Sequence, residues 1–119
     1  MPISEHDLEI LYRGDSREYN LTFTNSNGNA IDITDWKVYF TIKLSYMDGD
    51  SRAVIKKDIT VHDDPINGKT KIILLPSDTE NIKPDNYWYD IQIKRGEDNI
   101  LTVIRGRIKI ITDITRRVD

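Results

Sequence analysis

Period-two alternation runs through most of the chain. In "DWKVYFTIKL" the apolar residues Trp36, Val38, Phe40, Ile42 and Leu44 fall on one parity, and Lys37, Tyr39, Thr41 and Lys43 on the other. Successive side chains of a strand point to opposite faces, so this spacing predicts a strand with one face in a core. "NYWYDIQIK" repeats the pattern, with Tyr87, Tyr89, Ile91 and Ile93 set against Trp88, Asp90, Gln92 and Lys94. Shorter runs supply Tyr19, Leu21 and Phe23, then Ile59 and Val61, then Ile72 and Leu74. The last run, "NILTVIRGRIKII", puts Ile100, Ile104, Ile108 and Ile110 on one parity. Gly106 interrupts that row, which predicts a bulge or bend there.

Turn signals separate the runs: Asn27-Gly28, Asp48-Gly49, Asn67-Gly68 and Gly96. Each offers the positive φ that a tight turn needs. One segment, "LPSDTENIKPDN", does not alternate. Ser77 followed by Glu80 has the spacing of a capping box, so one short helical turn is expected near 77–82, ended by Pro84. About seven short strands, close turns and no long amphipathic helix predict an all-β fold, an immunoglobulin-like antiparallel β-sandwich. "KPDNYWYDI" also resembles the tyrosine corner of such sandwiches, where a Tyr hydroxyl bonds back to upstream backbone; Tyr87 is the first choice and Tyr89 the second. Trp36, Phe40, Tyr87 and Tyr89 are therefore core residues in this reading.

Composition narrows the class. The 119 residues suit a single domain over 1–119, with 1–6 and 117–119 as flexible ends. There is no cysteine, which excludes disulfides, cysteine-based zinc sites and thiol catalysis and suits a reducing cytosol. The first residues, "MPISEHDLEI", lack the charged and apolar regions of a signal peptide, and no apolar run approaches the roughly 20 residues of a membrane span. The expectation is a soluble chain with no membrane partner, not secreted by a signal of its own. Net charge is −3, but it is uneven. From Val103 onward Arg105, Arg107, Lys109, Arg116 and Arg117 face only Asp113 and Asp119, a local +3 that leaves −6 on the rest.

The chemistry-bearing residue types are sparse. His6 and His62 are the only histidines. His62-Asp63-Asp64 could begin a metal site, but neighbours on an extended chain alternate in direction and do not converge, so a polar loop is expected instead. Asp48 and Asp50 are spaced like the start of a calcium loop, yet position twelve of that pattern would be Ile59, so a hairpin tip is the better reading. No serine sits in a nucleophile elbow with a histidine to activate it, and the glycines are isolated, without a phosphate-cradling loop. No catalytic residue, metal or cofactor is expected, and the chain is not read as an enzyme. Arg105, Arg107 and Lys109 share a strand parity with Leu101, Val103 and Ile111 and no aromatic residue, so nucleic acid is not the expected partner. An acidic protein surface, or water, suits that basic ridge better. Tyr39 and Trp88, on outward parities, complete the candidate interaction surface, although Trp88 could equally be packed under a loop.

Residues 13–16 spell Arg-Gly-Asp-Ser, a string known from cell-adhesion ligands. Gly14-Asp15 is also what a turn between two strands requires, and the strand-like "REYNLTFT" follows at once. The turn is the preferred reading.

Four stretches together resemble the N-terminal immunoglobulin-like domain of upper baseplate proteins, and related tail, neck or head accessory proteins, of tailed phages and prophages. They are "RGDSREYNLTF", "NGNAIDITDWKVYFTIK", "LPSDTENIKPDNYWYDIQI" and "TVIRGRIKIITDITR", in that order, spanning Arg13 to Arg116. Asp85-Asn86 stands where the group has glycine after proline. The resemblance implies a non-enzymatic assembly role: docking onto other virion structural proteins, as a symmetric homo-oligomer within the particle, in a virion assembled in the bacterial host cytoplasm. With no receptor-binding or helical region in view, the expectation is an anchoring module or a free-standing accessory protein. The competing reading is a carbohydrate-binding or adhesion β-sandwich whose exposed aromatics stack on sugars.

Overall fold

The computed structural model describes residues 4–5, 11–12, 14–45 and 53–112. Its eight strands are β1 (Ser4–Glu5), β2 (Leu11–Tyr12), β3 (Arg17–Thr22), β4 (Lys37–Lys43), β5 (Ile55–Ile59), β6 (Lys69–Leu74), β7 (Asp85–Lys94) and β8 (Ile100–Ile111). A 3-10 turn covers Pro65–Asn67 and one helical turn, α1, covers Pro76–Thr79. The larger sheet runs β1-β8-β7-β4-β5, with β2 also on β8, and the smaller pairs β3 with β6. All pairings are antiparallel except those of β1 and β2, which join β8 in parallel. This is the expected all-β sandwich, with two short parallel additions at one edge.

The alternation seen in the sequence fixes which faces meet. Val38, Phe40 and Ile42 of β4 and Tyr87, Tyr89, Ile91 and Ile93 of β7 are all buried. Ile72 and Leu74 of β6 cover them from the other sheet. Tyr19 of β3 packs on Phe40 with ring centroids 6.1 Å apart, and Phe40 packs on Tyr89 at 6.0 Å, so one aromatic column crosses the core. Trp36 is only half-buried; its ring meets Phe23 edge-on at 5.8 Å and carries the Arg95 guanidinium at 5.5 Å.

Three parity assignments fail at strand ends. Leu44 is 52% exposed and Val61 85%, because β4 stops at Lys43 and β5 at Ile59. Ile100 is 53% exposed for a different reason. Ile91 pairs with Ile104 while Gln92 pairs with Thr102, which leaves Val103 as one extra residue in β8. The bulge therefore lies at Val103, not Gly106, and it reverses the facing of every residue before it. Leu101 and Val103 join the core side, and Gly106 continues the buried row opposite Tyr89.

The helical turn forms, with different capping from that expected. Leu75 precedes it, Pro76 opens it, and Asp78 reaches back to accept the Leu75 amide at 2.7 Å. Ser77 and Glu80 do not form the box. Asp78 also takes Lys57 Nζ at 2.8 Å, tying the turn to β5. Partial burial works to raise the Asp78 carboxyl, but the bonds from Lys57 and the Leu75 amide, with the lysine charge, outweigh it and hold its pKa below the usual value. A depressed carboxyl contributes stability at neutral pH that is lost as pH falls through its folded value. Asp78→Asn should thus lower the urea midpoint at pH 7, by about 0.5–1.5 kcal/mol for so modestly buried a pair, and the gap to wild type should narrow below about pH 4.

Candidate functional site

The first and third resemblance stretches meet in the fold. Tyr12 O accepts the Asp15 amide at 3.1 Å, closing a turn in which Gly14 has φ +85°. The Gly14 N–H then donates to Thr79 Oγ1 at 2.7 Å, and Thr79 is fully buried in α1. Gly14 and Asp15 are turn residues, as expected, and the Gly14 amide is engaged inside the domain; Arg13 lies outside the described residues. Thr79→Val should leave that amide without its acceptor and cost about 1–3 kcal/mol in chemical denaturation, while Thr79→Ser should stay near wild type. The tyrosine corner is present at the first-choice residue. The Tyr87 hydroxyl donates to Lys83 O, and burial, then the Asp85 charge, push its pKa up, so it stays a donor.

His62 has a structural task. Its Nε2 lies 2.7 Å from Trp36 O and its Nδ1 2.9 Å from Thr70 Oγ1, so it links the entry to β4 with β6 of the opposite sheet. Because a carbonyl only accepts, Nε2 carries a proton. Asp63 turns to Lys71 at 3.4 Å and Asp64 accepts from Asn67 at 2.9 Å, so the three consecutive residues diverge. Among the described residues no group of three or more His, Cys, Asp or Glu is placed to hold a metal. Asp48, Gly49 and Asp50 lie outside the described residues, as does His6. Among the described residues no helix is long and apolar enough to cross a membrane.

The five candidate interaction residues do come together. Burial of Val38, Phe40 and Ile42 turns Lys37, Tyr39, Thr41 and Lys43 of β4 to the outer face of the larger sheet. The register sets Trp88, Asp90, Gln92 and Lys94 of β7 beside them, and Lys56 and Asp58 of β5 on the other flank. Arg107 and Arg105 of β8 stand opposite Trp88 and Asp90, and Lys109 opposite Asn86. Arg105, Arg107 and Lys109 are exposed, while Tyr39 and Trp88 are partly so. The Arg107 guanidinium sits over the Trp88 ring, 5.1 Å from its centroid. Tyr12, 43% exposed and paired with Ile111, extends the same face and was not anticipated. Sequence parity within β8 found no aromatic beside the basic row; the aromatic is supplied by β7 across the sheet.

Seven cations against two carboxylates give these β4, β5, β7 and β8 side chains a net +5, not counting Glu5 of β1, which is paired with Arg105, on a chain whose total is −3. What the geometry defines is a β-sandwich with one cationic, aromatic sheet face.

No protein-family model matches the chain, and no curated protein matches it in sequence. Solved structures do. The chain is similar to the immunoglobulin-like domain of mouse leukocyte-associated immunoglobulin-like receptor 1, solved as a strand-swapped dimer, with a TM-score of 0.50 and 12% identity over 89% of this chain and 88% of that one. It is also similar to the N-terminal domain of ORF48 of phage TP901-1, with a TM-score of 0.49 and 12% identity over 93% of this chain and 99% of that one. At such identity the likeness concerns the fold, which is an immunoglobulin-like β-sandwich.

Proposed function

We propose that this chain is a non-enzymatic structural module of a tailed-phage or prophage virion, a component of baseplate, tail, neck or head that docks onto other virion proteins. The observation that carries the reading is the meeting of two motifs 65 residues apart, Gly14-Asp15 and Asp78-Thr79, through the Gly14–Thr79 bond. Two of the four ordered stretches of the resemblance thus pack against each other, which supports reading them as parts of one unit. The outer face supplies the means of docking, since Trp, Tyr and Arg are the residues that anchor protein interfaces. Carbohydrate stacking is less well served there, because Arg107 already lies over Trp88, where a sugar ring would stack. An epitope-tagged copy should co-purify with intact particles and be located on the baseplate, tail, neck or head by gold labelling. A tag confined to the host cytosol or membranes, with unlabelled particles, would overturn the reading.

A further inference from the structure

The cationic sheet face has a counterpart on the same molecule. Lys37 pairs with Lys94 and Val38 with Ile59, so the segments 24–36, 60–68 and 95–99 all emerge at one end of the sandwich. They are knitted together there by Ile33 N to Pro65 O at 2.8 Å, His62 to Trp36 O, and Arg95 over Trp36. Asp32, Asp35, Asp63, Asp64, Glu97 and Asp98 lie in these loops with Arg95 as the one cation, a net −5. Hydrogen bonds from the Thr34 hydroxyl and amide hold the Asp32 carboxyl below its ordinary pKa. The same loops carry Val61 and Ile66, 85% and 69% exposed, the two most exposed large apolar side chains among the described residues.

Within one molecule Lys37 and Lys94 border the acidic loops, but the basic row of β8 lies away from them. Arg105 to Lys109 lie six to ten residues along β8 from Asn99, roughly 20–33 Å at strand rise, beyond the screening length of about 8 Å at physiological salt. Pairing two copies face to face would set +5 against +5, so an isologous dimer through this surface is disfavoured. Placing the loop end of one copy on the sheet face of the next opposes −5 to +5. It also brings Val61 and Ile66 onto the face that carries Tyr39 and Trp88. Such a contact is heterologous and propagates into a ring or an open series.

We propose that the outer face of the β1-β8-β7-β4-β5 sheet binds the acidic loop end of a second copy of this chain, giving head-to-tail assembly. The proposal rests on the assembly role above and names the surfaces that execute it. The test is sedimentation velocity of the full chain at about 0.01 M and about 1 M salt, where the screening length is about 30 Å and 3 Å. Wild type should assemble at low salt and dissociate at high salt. The face reversal Arg105→Glu/Arg107→Glu/Lys109→Glu and the loop reversal Asp63→Lys/Glu97→Lys/Asp98→Lys should each stay monomeric while keeping the β-type circular dichroism of wild type. Mixing them should restore association, because each supplies the surface the other lost. A monomeric wild type at low salt, assembly that needs added single-stranded DNA, or folded variants that do not associate when mixed would each overturn the proposal. A monomer that still labels particles would overturn it and leave the virion reading standing.

Discussion

Phe40→Ala is expected to lower stability by about 3–5 kcal/mol, which for a domain of this size is roughly 10–25 °C in melting temperature. Phe40 is fully buried and is the middle ring of the column joining Tyr19 in one sheet to Tyr89 in the other. Truncation removes the transfer free energy of the ring and opens a cavity at a point where rings from both sheets lean on the same side chain. The flanking rings belong to opposite sheets, so collapse into the gap would need the sheets themselves to approach. Phe40→Leu, which refills most of the volume, should recover more than half of the loss. An unchanged midpoint for Phe40→Ala in urea would show that the sheets are not packed through this residue.

Gly68→Ala should be comparably damaging, upwards of about 3 kcal/mol, though it adds only one methyl group. Gly68 has φ +71°, and a Cβ there would stand 2.5 Å from Phe23 O and 2.8 Å from Ile31 O. Those carbonyls cannot swing aside freely, because Phe23 O accepts the Ile31 amide at 3.0 Å and the Phe23 amide donates to Gly68 O at 2.8 Å. The methyl would therefore break the junction between the β3 exit and the β6 entry. Gly14, also at positive φ, has nothing within 4 Å of its would-be Cβ. Gly14→Ala meets backbone strain alone, about 1–2 kcal/mol. Urea melts of the two variants side by side check the ordering, and equal losses would show that strain rather than contact governs both.

The contrast between these glycines separates two kinds of information. Asn67-Gly68 and Gly14-Asp15 are equally visible as turn signals, since each only needs a residue tolerant of positive φ. Which glycine is also wedged between two carbonyls depends on Phe23 and Ile31, far from it along the chain. Tyr87 lies between these cases: its hydrogen bond to Lys83 spans four residues, so a local string was enough to propose it.

The face followed the same division. Alternation in "DWKVYFTIKL" and "NYWYDIQIK" assigned Tyr39, Trp88 and their charged neighbours to the outside, because inward and outward are local properties of a strand. In β8 the same logic went wrong at Ile100, because a bulge is set by how β7 and β8 register against each other. Nor could parity along one strand show that Trp88 would sit beside Arg107 or that Tyr12 would join them.

By itself, then, the sequence determined the strand class, the buried parity of the central strands, most of the turns and the absence of cysteine chemistry, all of which depend on residues a few positions apart. Only the tertiary structure decided the bulge at Val103, the docking of Gly14 on Thr79, the demand on Gly68, and the gathering of seven cations on one face with the acidic loops at one end. These depend on which strands become neighbours, and that choice is made by burial across the whole core rather than by any short stretch of chain.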